Sequence, residues 1–523
     1  MREIASFDSK ARTRRGSLPR EAVSGRFREP FFTGSRVSRS FYIRTYGCQM
    51  NALDSQKVAA LLCGAGYGVA DEPEHADLLI VNTCSIRDKA EQRLYADLGQ
   101  LRAWKRERPG RVVGVAGCVA QQEGDAILRR FAVVDFVYGT HNLRLVPALV
   151  AAAEHGARSA RTAETRDPGR FDVPQLHPDL PSATPGRAFV TVMEGCDMFC
   201  TFCIVPRTRG REISRPAAAI EAEVRDLAAV GVREITLLGQ TVNAYGRHDL
   251  RRGNADVAGT ESFAALIARL ARVAGIERIR YTSPHPGFFD DDLVRAHGDE
   301  AKLCPHVHLP AQSGSDAVLE RMRRPYRAAE YRALCERLRA ARPDVALTTD
   351  LIVGFPGESD ADFRDTLALV REVAFVDAYT FKYSPRPGTR AAEFSDAVAP
   401  EVAQARLEEL QDLLRSLTLA AHRRRIGDET EVLIEGAGRH PGQVSGRDPY
   451  HRTVNLAAEA EPGDALRVRV VEATPHSLIG DPLGPARRFR AANPVKNPSG
   501  PADEGQCPGA AFSPSMISAT SAS

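Results

Sequence analysis

From residue 41 the chain repeats one local pattern three times: a short apolar run, a cysteine directly after it, then apolar positions at helical spacing. FYIRTYGC ends at Cys48 and runs into NALDSQKVAALLCGAG. DLLIVNTC ends at Cys84 and runs into SIRDKAEQRLYADLGQLRAWKRE, and RVVGVAGC ends at Cys118 and runs into VAQQEGDAILRRF. Strands that alternate with helices predict a parallel sheet, whose ligands gather beyond the carboxyl ends of the strands. All three cysteines belong at that edge. A fourth strand, VVDFVYG, and a helix, NLRLVPALVAAAEHG, complete a domain over 41–155.

Residues 156–181 are Pro-rich and weakly periodic, which reads as a linker. Alternation resumes over 182–420 with the strands AFVTVM, REITLLG, IERIRYT, HVHLP, ALTTDLIVG and DAYTFKYS, separated by helical stretches. Six βα units are too few for a closed eight-fold barrel, so a partial (β/α)6 barrel is expected, with 247–260 as a surface loop. A long helix from Pro400 leads into 424–487, where short strands between Gly and Pro turns predict a small β-barrel. Segments 1–39 and 491–523 lack apolar period and predict a disordered leader and tail, with a mis-called start or an organellar presequence as alternative readings of the first. The fold class is therefore α/β: a parallel-sheet domain, a partial barrel and a C-terminal β-barrel.

Ten cysteines in 523 residues are too sparse for a disulfide scaffold and suit metal or cluster ligation in a reducing, cytoplasmic compartment. No run approaches the roughly 20 apolar residues of a membrane span. Residues 1–40 carry nine Arg and one Lys without the apolar centre of a signal peptide. Seventy basic against 67 acidic residues leave a net charge of +3, so contact with nucleic acid must rest on local patches.

The sharpest local motif is MEGCDMFCTFC, which sets Cys196, Cys200 and Cys203 in a loop past the first barrel strand. Three thiolates so close can hold three irons of a [4Fe-4S] cube and leave the fourth iron open to a small molecule. A zinc site completed by a distant His, or a redox pair of Cys200 and Cys203, would use the same residues. Spacings of 36 and 34 residues separate Cys48, Cys84 and Cys118, which fits shared ligation or three buried small hydrophobes. Cys63, Cys304, Cys335 and Cys507 lack such placing and read as non-ligands.

CDMFCTFC resembles the cluster loop of the radical S-adenosylmethionine enzymes, in which the open iron chelates the cofactor and reduction releases a 5′-deoxyadenosyl radical. TYGCQMNALDS, VNTCSIRDKAEQR, GVAGCVAQQEGD, VPRTRGREISRP, EITLLGQTVNAYG, HVHLPAQSGSDAVLERMRRPY, DLIVGFPGE and FKYSPRPGTRAAEF together resemble the MiaB-type tRNA methylthiotransferases, over about residues 41 to 485. The resemblance implies a radical S-adenosylmethionine core followed by an RNA-binding TRAM-like barrel. It implies two [4Fe-4S] clusters, one on Cys48, Cys84 and Cys118, the other on Cys196, Cys200 and Cys203. S-adenosylmethionine would serve as radical source and methyl donor. The implied reaction is methylthiolation at C2 of N6-isopentenyladenosine next to the anticodon; relatives that act on threonylcarbamoyladenosine or a ribosomal protein are the alternative. The implied partners are the tRNA anticodon loop and unnamed electron and sulfur donors, around a monomeric enzyme.

Within the resemblance, Phe202 would pack beside the cofactor's adenine, and Gln240 and Asn243 would line the pocket at the barrel mouth. Gly354 and Glu358, with Gly357, would let backbone approach a ligand, or form a turn. Arg207 and Arg209, with Arg211 and Arg215, read as a basic rim for phosphates or as solvated charge. Arg423, Arg424, Arg425 and Arg452, near Tyr450 and His451, read as RNA contacts. His306 and His308 alternate on one strand face and suit core or pocket histidines better than metal ligands.

Overall fold

A computed structural model of the protein describes residues 39–85, 88–177, 180, 185–253 and 255–489. The expected leader, up to residue 38, and the expected tail lie outside them. No helix among the described residues is long and apolar enough to cross a membrane.

Strands β1 (Ser40–Tyr46), β2 (Gly68–Val69), β3 (Leu78–Thr83), β4 (Val112–Gly117), β5 (Phe136–Tyr138) and β6 (Ser159–Arg161) form one parallel sheet in the order β2-β1-β3-β4-β5-β6. Both central strands, LLIVNT and VVGVAG, are buried along their whole length, because helices cover both faces and leave no position for water. Strand β6 comes from the segment read as linker. It pairs with β5 from Phe136↔Ser159 to Tyr138↔Arg161, an edge strand fixed by pairing rather than by apolar period, which is why composition hid it.

The central region holds β7 (Arg187–Thr191), β8 (Met193–Glu194), β9 (Ile213–Ser214), β10 (Glu234–Leu238), β11 (Arg278–Tyr281), β12 (His306–His308), β13 (Ala346–Val353) and β14 (Asp377–Lys382). The six barrel strands form as their patterning predicts, in two parallel half-sheets, β11-β10-β7 and β12-β13-β14, with an isolated bridge from Ile279 of β11 to Leu303, just before β12. Period two assigns their faces. Ile235, Leu237, Ile279, Val307, Leu347, Leu351 and Val353 join the core beneath the helices, and the alternate positions turn to the barrel interior. The segment 247–260 is not an irregular loop: it forms helices Arg247–Arg252 and Ala255–Ala258, the first bracketed by Gly246 and Gly253, both at φ 69°.

A helix over Pro400–Arg423 starts with Pro at its first turn and leads to β15 (Glu429–Ala437), β16 (Gln443–Arg447), β17 (Thr453–Ala457), β18 (Ala465–Ala473) and β19 (Leu478–Pro482). These five strands close into a barrel in the order β15-β16-β17-β19-β18. The turn from β16 to β17 plugs the amino-terminal end of the central barrel. Arg280 donates to the carbonyls of Asp448 at 2.7 Å and Pro449 at 2.9 Å, and the Tyr450 hydroxyl donates to Asp344 at 2.8 Å.

Candidate cluster sites and their interface

Cys48 caps the helix Gln49–Gly64, Cys84 follows β3, and Cys118 opens a helix directly after β4. Close approach of these strand ends depends on two glycines. Gly47 has φ +125°, and a Cβ there would lie 2.3 Å from the Cβ of Cys84; Gly117 has φ +90°, and a Cβ there would lie 2.4 Å from Asn82 Oδ1. Asn51 and Asn82 knit the same edge, Asn51 Nδ2 donating to Asn82 Oδ1 and Asn82 Nδ2 to Asn51 O, both at 2.9 Å. Asn51 Oδ1 also accepts from the Cys48 thiol at 3.2 Å. The Cys84 thiol is hydrogen-bonded to both other thiols. Those bonds draw Cys48 down to about 6 and Cys118 down to about 7 against the opposing effect of burial, and the Arg209 guanidinium adds to both. Cys84 thus stands within hydrogen-bond reach of both Cys48 and Cys118.

The second triad lies in the loop between β8 and the short helix Val205–Thr208. Gly195, at φ +83°, lets the chain pass the Arg211 carbonyl, and its N–H is held by Gln240 Oε1. Cys196 Sγ lies 3.1 Å from Thr241 Oγ1, and Arg324 Nη1 donates to Cys200 Sγ at 3.5 Å. Cys203 is near enough to feel both other thiols, and burial pushes its own up to about 12. Three thiols on one short loop would suit a cluster. Buried donors without a protein partner, Gln240 Nε2 and His285 Nε2, suit a polar ligand beside it. His285 is neutral: its Nδ1 accepts from Gly287 N at 3.1 Å, and burial lowers its pKa to about 2.

Several single-residue expectations change. Phe202 packs edge-on against Phe355, ring centroids 6.5 Å apart, beside Val318, Met322 and Tyr383. Asn243 spends both ends of its amide on the backbone of His285, at 2.8 and 3.0 Å, so it holds the mouth together rather than offering a free contact. Gly354 makes room for a helix, since a Cβ there would lie 2.6 Å from Ala403 Cβ, and Glu358 is paired with Arg406 at 2.7 Å.

The basic rim also divides. Arg207 and Arg211 are exposed, Arg211 held by Asp197 at 2.6 Å. Arg215 is buried against Glu223 at 2.6 Å. Arg209 is 2% exposed and crosses the domain boundary to Asp54 at 2.7 Å, with Glu194 at 3.5 Å. It cannot reach a phosphate. Arg452, buried near Asp377, cannot either. Arg423 and Arg424 remain exposed at a helix end, whereas Arg425 pairs with Asp428 and Asp448 and lies over the Tyr450 ring. His306 and His308 do share a face, both within 3.1 Å of Thr348 Oγ1.

Residues 40–139 match the uncharacterized protein family UPF0004, 190–370 the radical SAM superfamily and 423–483 the TRAM domain. Among curated relatives, the tRNA-2-methylthio-N(6)-dimethylallyladenosine synthase of Cereibacter sphaeroides is 48% identical over 448 residues, 86% of this chain and 99% of the relative. The enzymes of that name from Paracoccus denitrificans and Geotalea uraniireducens are each 47% identical, covering 84% of this chain and 96% and 98% of their own lengths. Among solved structures, the radical S-adenosylmethionine methyltransferase TsrM from Kitasatospora setae, with cobalamin and a [4Fe-4S] cluster bound, is 15% identical with a TM-score of 0.48, covering 78% of this chain and 80% of that one. Nearly half of all positions are identical along almost the full length of the curated relatives, and the chain belongs to the tRNA-2-methylthio-N(6)-dimethylallyladenosine synthase family.

Proposed function

We propose that this protein methylthiolates C2 of N6-isopentenyladenosine beside the anticodon of tRNA, with S-adenosylmethionine as radical source and methyl donor. The observation that carries the reading is one cysteine triad at parallel-strand ends and a second in the loop after β8, with Asp54 and Arg209 paired across the domain boundary, in a chain 48% identical to enzymes of that name. Cys48, Cys84 and Cys118 would hold one [4Fe-4S] cluster. Cys196, Cys200 and Cys203 would hold the other and leave one iron for S-adenosylmethionine. When bound, these groups supply the one-electron and sulfur chemistry that an unactivated aromatic C–H bond demands.

The chain's own residues do the rest. Gln240 and His285 present buried N–H donors to the polar groups of the cofactor or the base. Phe202, Phe355 and Tyr383 keep water from the far side of the cluster loop. Arg423 and Arg424, with Arg207, contribute positive charge for the RNA backbone. A loop nucleotide next to the anticodon suits such a site, because an unstacked base can be splayed into it. The enzyme works in the cytoplasm as a monomer and draws on an electron donor and a sulfur donor of unassigned identity.

Nucleoside analysis of tRNA tests the reading. In a strain that lacks the gene, the 2-methylthio nucleoside disappears and N6-isopentenyladenosine accumulates; the wild-type gene restores it and a Cys196→Ala copy does not. An unchanged nucleoside profile contradicts the proposal.

A further inference from the structure

Arg209 follows Cys203 by six residues, yet its guanidinium pairs with Asp54 on the helix that Cys48 caps. The intervening segment leaves the cluster loop, makes the short helix Val205–Thr208 and is then pinned to the N-terminal domain. Thr140 Oγ1 donates to the Thr208 carbonyl at 2.6 Å, and His141 Nε2 lies 2.9 Å from the Arg209 carbonyl. The Arg209 side chain is 3% exposed. Nη2 donates to Asp54 Oδ2 at 2.7 Å, while Nη1 makes no hydrogen bond and lies 3.5 Å from Glu194 Oε1. Glu194 is itself held by Arg170 at 3.0 Å. Asp54 stands on the helix that Cys48 caps, so the Arg209–Asp54 pair brings two charges of opposite sign to this strand edge; Arg209 acts on both Cys48 and Cys118, and Asp54 on Cys118.

Three thiolates on a [4Fe-4S] cluster give a net negative group, and reduction adds one further electron to it. At a largely buried site a fixed charge is screened less than it is in water, so it acts on that step. Outer-shell charge and hydrogen bonds of this kind set the potential of a cluster.

We propose that Arg209 is a positioning residue for the cluster of Cys48, Cys84 and Cys118, offsetting its negative charge and raising its reduction potential, with Asp54 as the opposing charge. The core domain thereby sets the redox poise of the N-terminal domain through the segment that also carries its own cluster loop. This inference rests on the cluster assignment under the proposed function, so iron and sulfide are measured first. A parent protein without a cluster overturns that assignment; a parent with one allows the present test.

The test uses the full chain with Cys196→Ala, Cys200→Ala and Cys203→Ala, reconstituted anaerobically and titrated with dithionite and mediators while the reduced cluster is followed by electron paramagnetic resonance. Relative to this parent, Arg209→Gln shifts the midpoint to lower potential and Asp54→Asn shifts it to higher potential. Arg209→Lys, which keeps the charge, stays closer to the parent than Arg209→Gln. A residue that merely braced the interface would not reverse sign with its partner. Unchanged midpoints, or shifts of Arg209→Gln and Asp54→Asn in the same direction, overturn the proposal. If Arg209→Gln loses its cluster, Asp54→Asn decides alone: a rise supports the proposal and any other result overturns it.

Discussion

His451, in the turn from β16 to β17, stacks on His306, the first residue of β12, with ring centroids 5.1 Å apart and planes 28° from parallel. Polar turn residues of the C-terminal barrel are therefore interior to the central one. Arg280 stands beside them, tied to two turn carbonyls and to Glu234 at 3.1 Å. Replacing Arg280 by Ala strips the plug of both hydrogen bonds and leaves Glu234, 3% exposed, with the more distant Arg278 at 3.6 Å. The expected cost is on the order of 3 kcal/mol. Hydrogen exchange should rise across residues 443–457 while the sheet of β1 to β6 keeps its protection.

Gly354 should tolerate no side chain. Its φ is +69° and Ala403 of the helix Pro400–Arg423 occupies the space a Cβ needs. Gly354→Ala combines left-handed strain with overpacking, a loss of roughly 2 to 4 kcal/mol. Gly99→Ala is the control, because that glycine sits within a helix with nothing within 4 Å; it should gain about 1 kcal/mol. Thermal denaturation of the two variants in parallel reads out the difference.

Iron and sulfide content should divide between the triads. The reconstituted wild type is expected to hold about eight irons, and replacing either triad by Ala should leave about four. Loss of S-adenosylmethionine cleavage should follow only the removal of Cys196, Cys200 and Cys203.

Arg423 and Arg424 should carry much of the salt dependence of tRNA binding. Changing both to Ala should weaken binding and flatten the slope of log affinity against log salt by roughly one unit for each phosphate left unneutralised. Arg452→Ala should lower stability and leave that slope alone, since its side chain is buried beside Asp377. Filter binding across a salt series separates the two.

Cys48, Cys84 and Cys118 stand out in the sequence because each falls directly after an apolar run, and strand ends are where a parallel sheet gathers its ligands; Cys196, Cys200 and Cys203 stand out by their close spacing in one loop. Asn51 and the glycines before Cys48 and Cys118 are visible as motif letters, but their work, clearing and bracing the strand edge, needs contacts across 30 or more residues. Arg209 is hidden for the same reason: Asp54 lies 155 residues away, and a run of arginines looks solvated until its partners are known. The plug escapes notice because GRDPYHR has the composition of an RNA-reading tip as much as of a buried turn. One signal does point to it. Strand β11, RIRY, is buried at all four positions, and two arginines there require carbonyls and carboxylates to meet them.

The central claim is that this chain methylthiolates prenylated tRNA, and its most direct test is one assay on the reconstituted enzyme with S-adenosylmethionine and reductant. Isopentenylated tRNA, unmodified tRNA, tRNA bearing threonylcarbamoyladenosine and ribosomal protein are offered in parallel, and products are read by mass spectrometry. Methylthio product on the isopentenylated tRNA, with the others left unmodified, is the predicted result. Product confined to the protein or to threonylcarbamoyladenosine would contradict it.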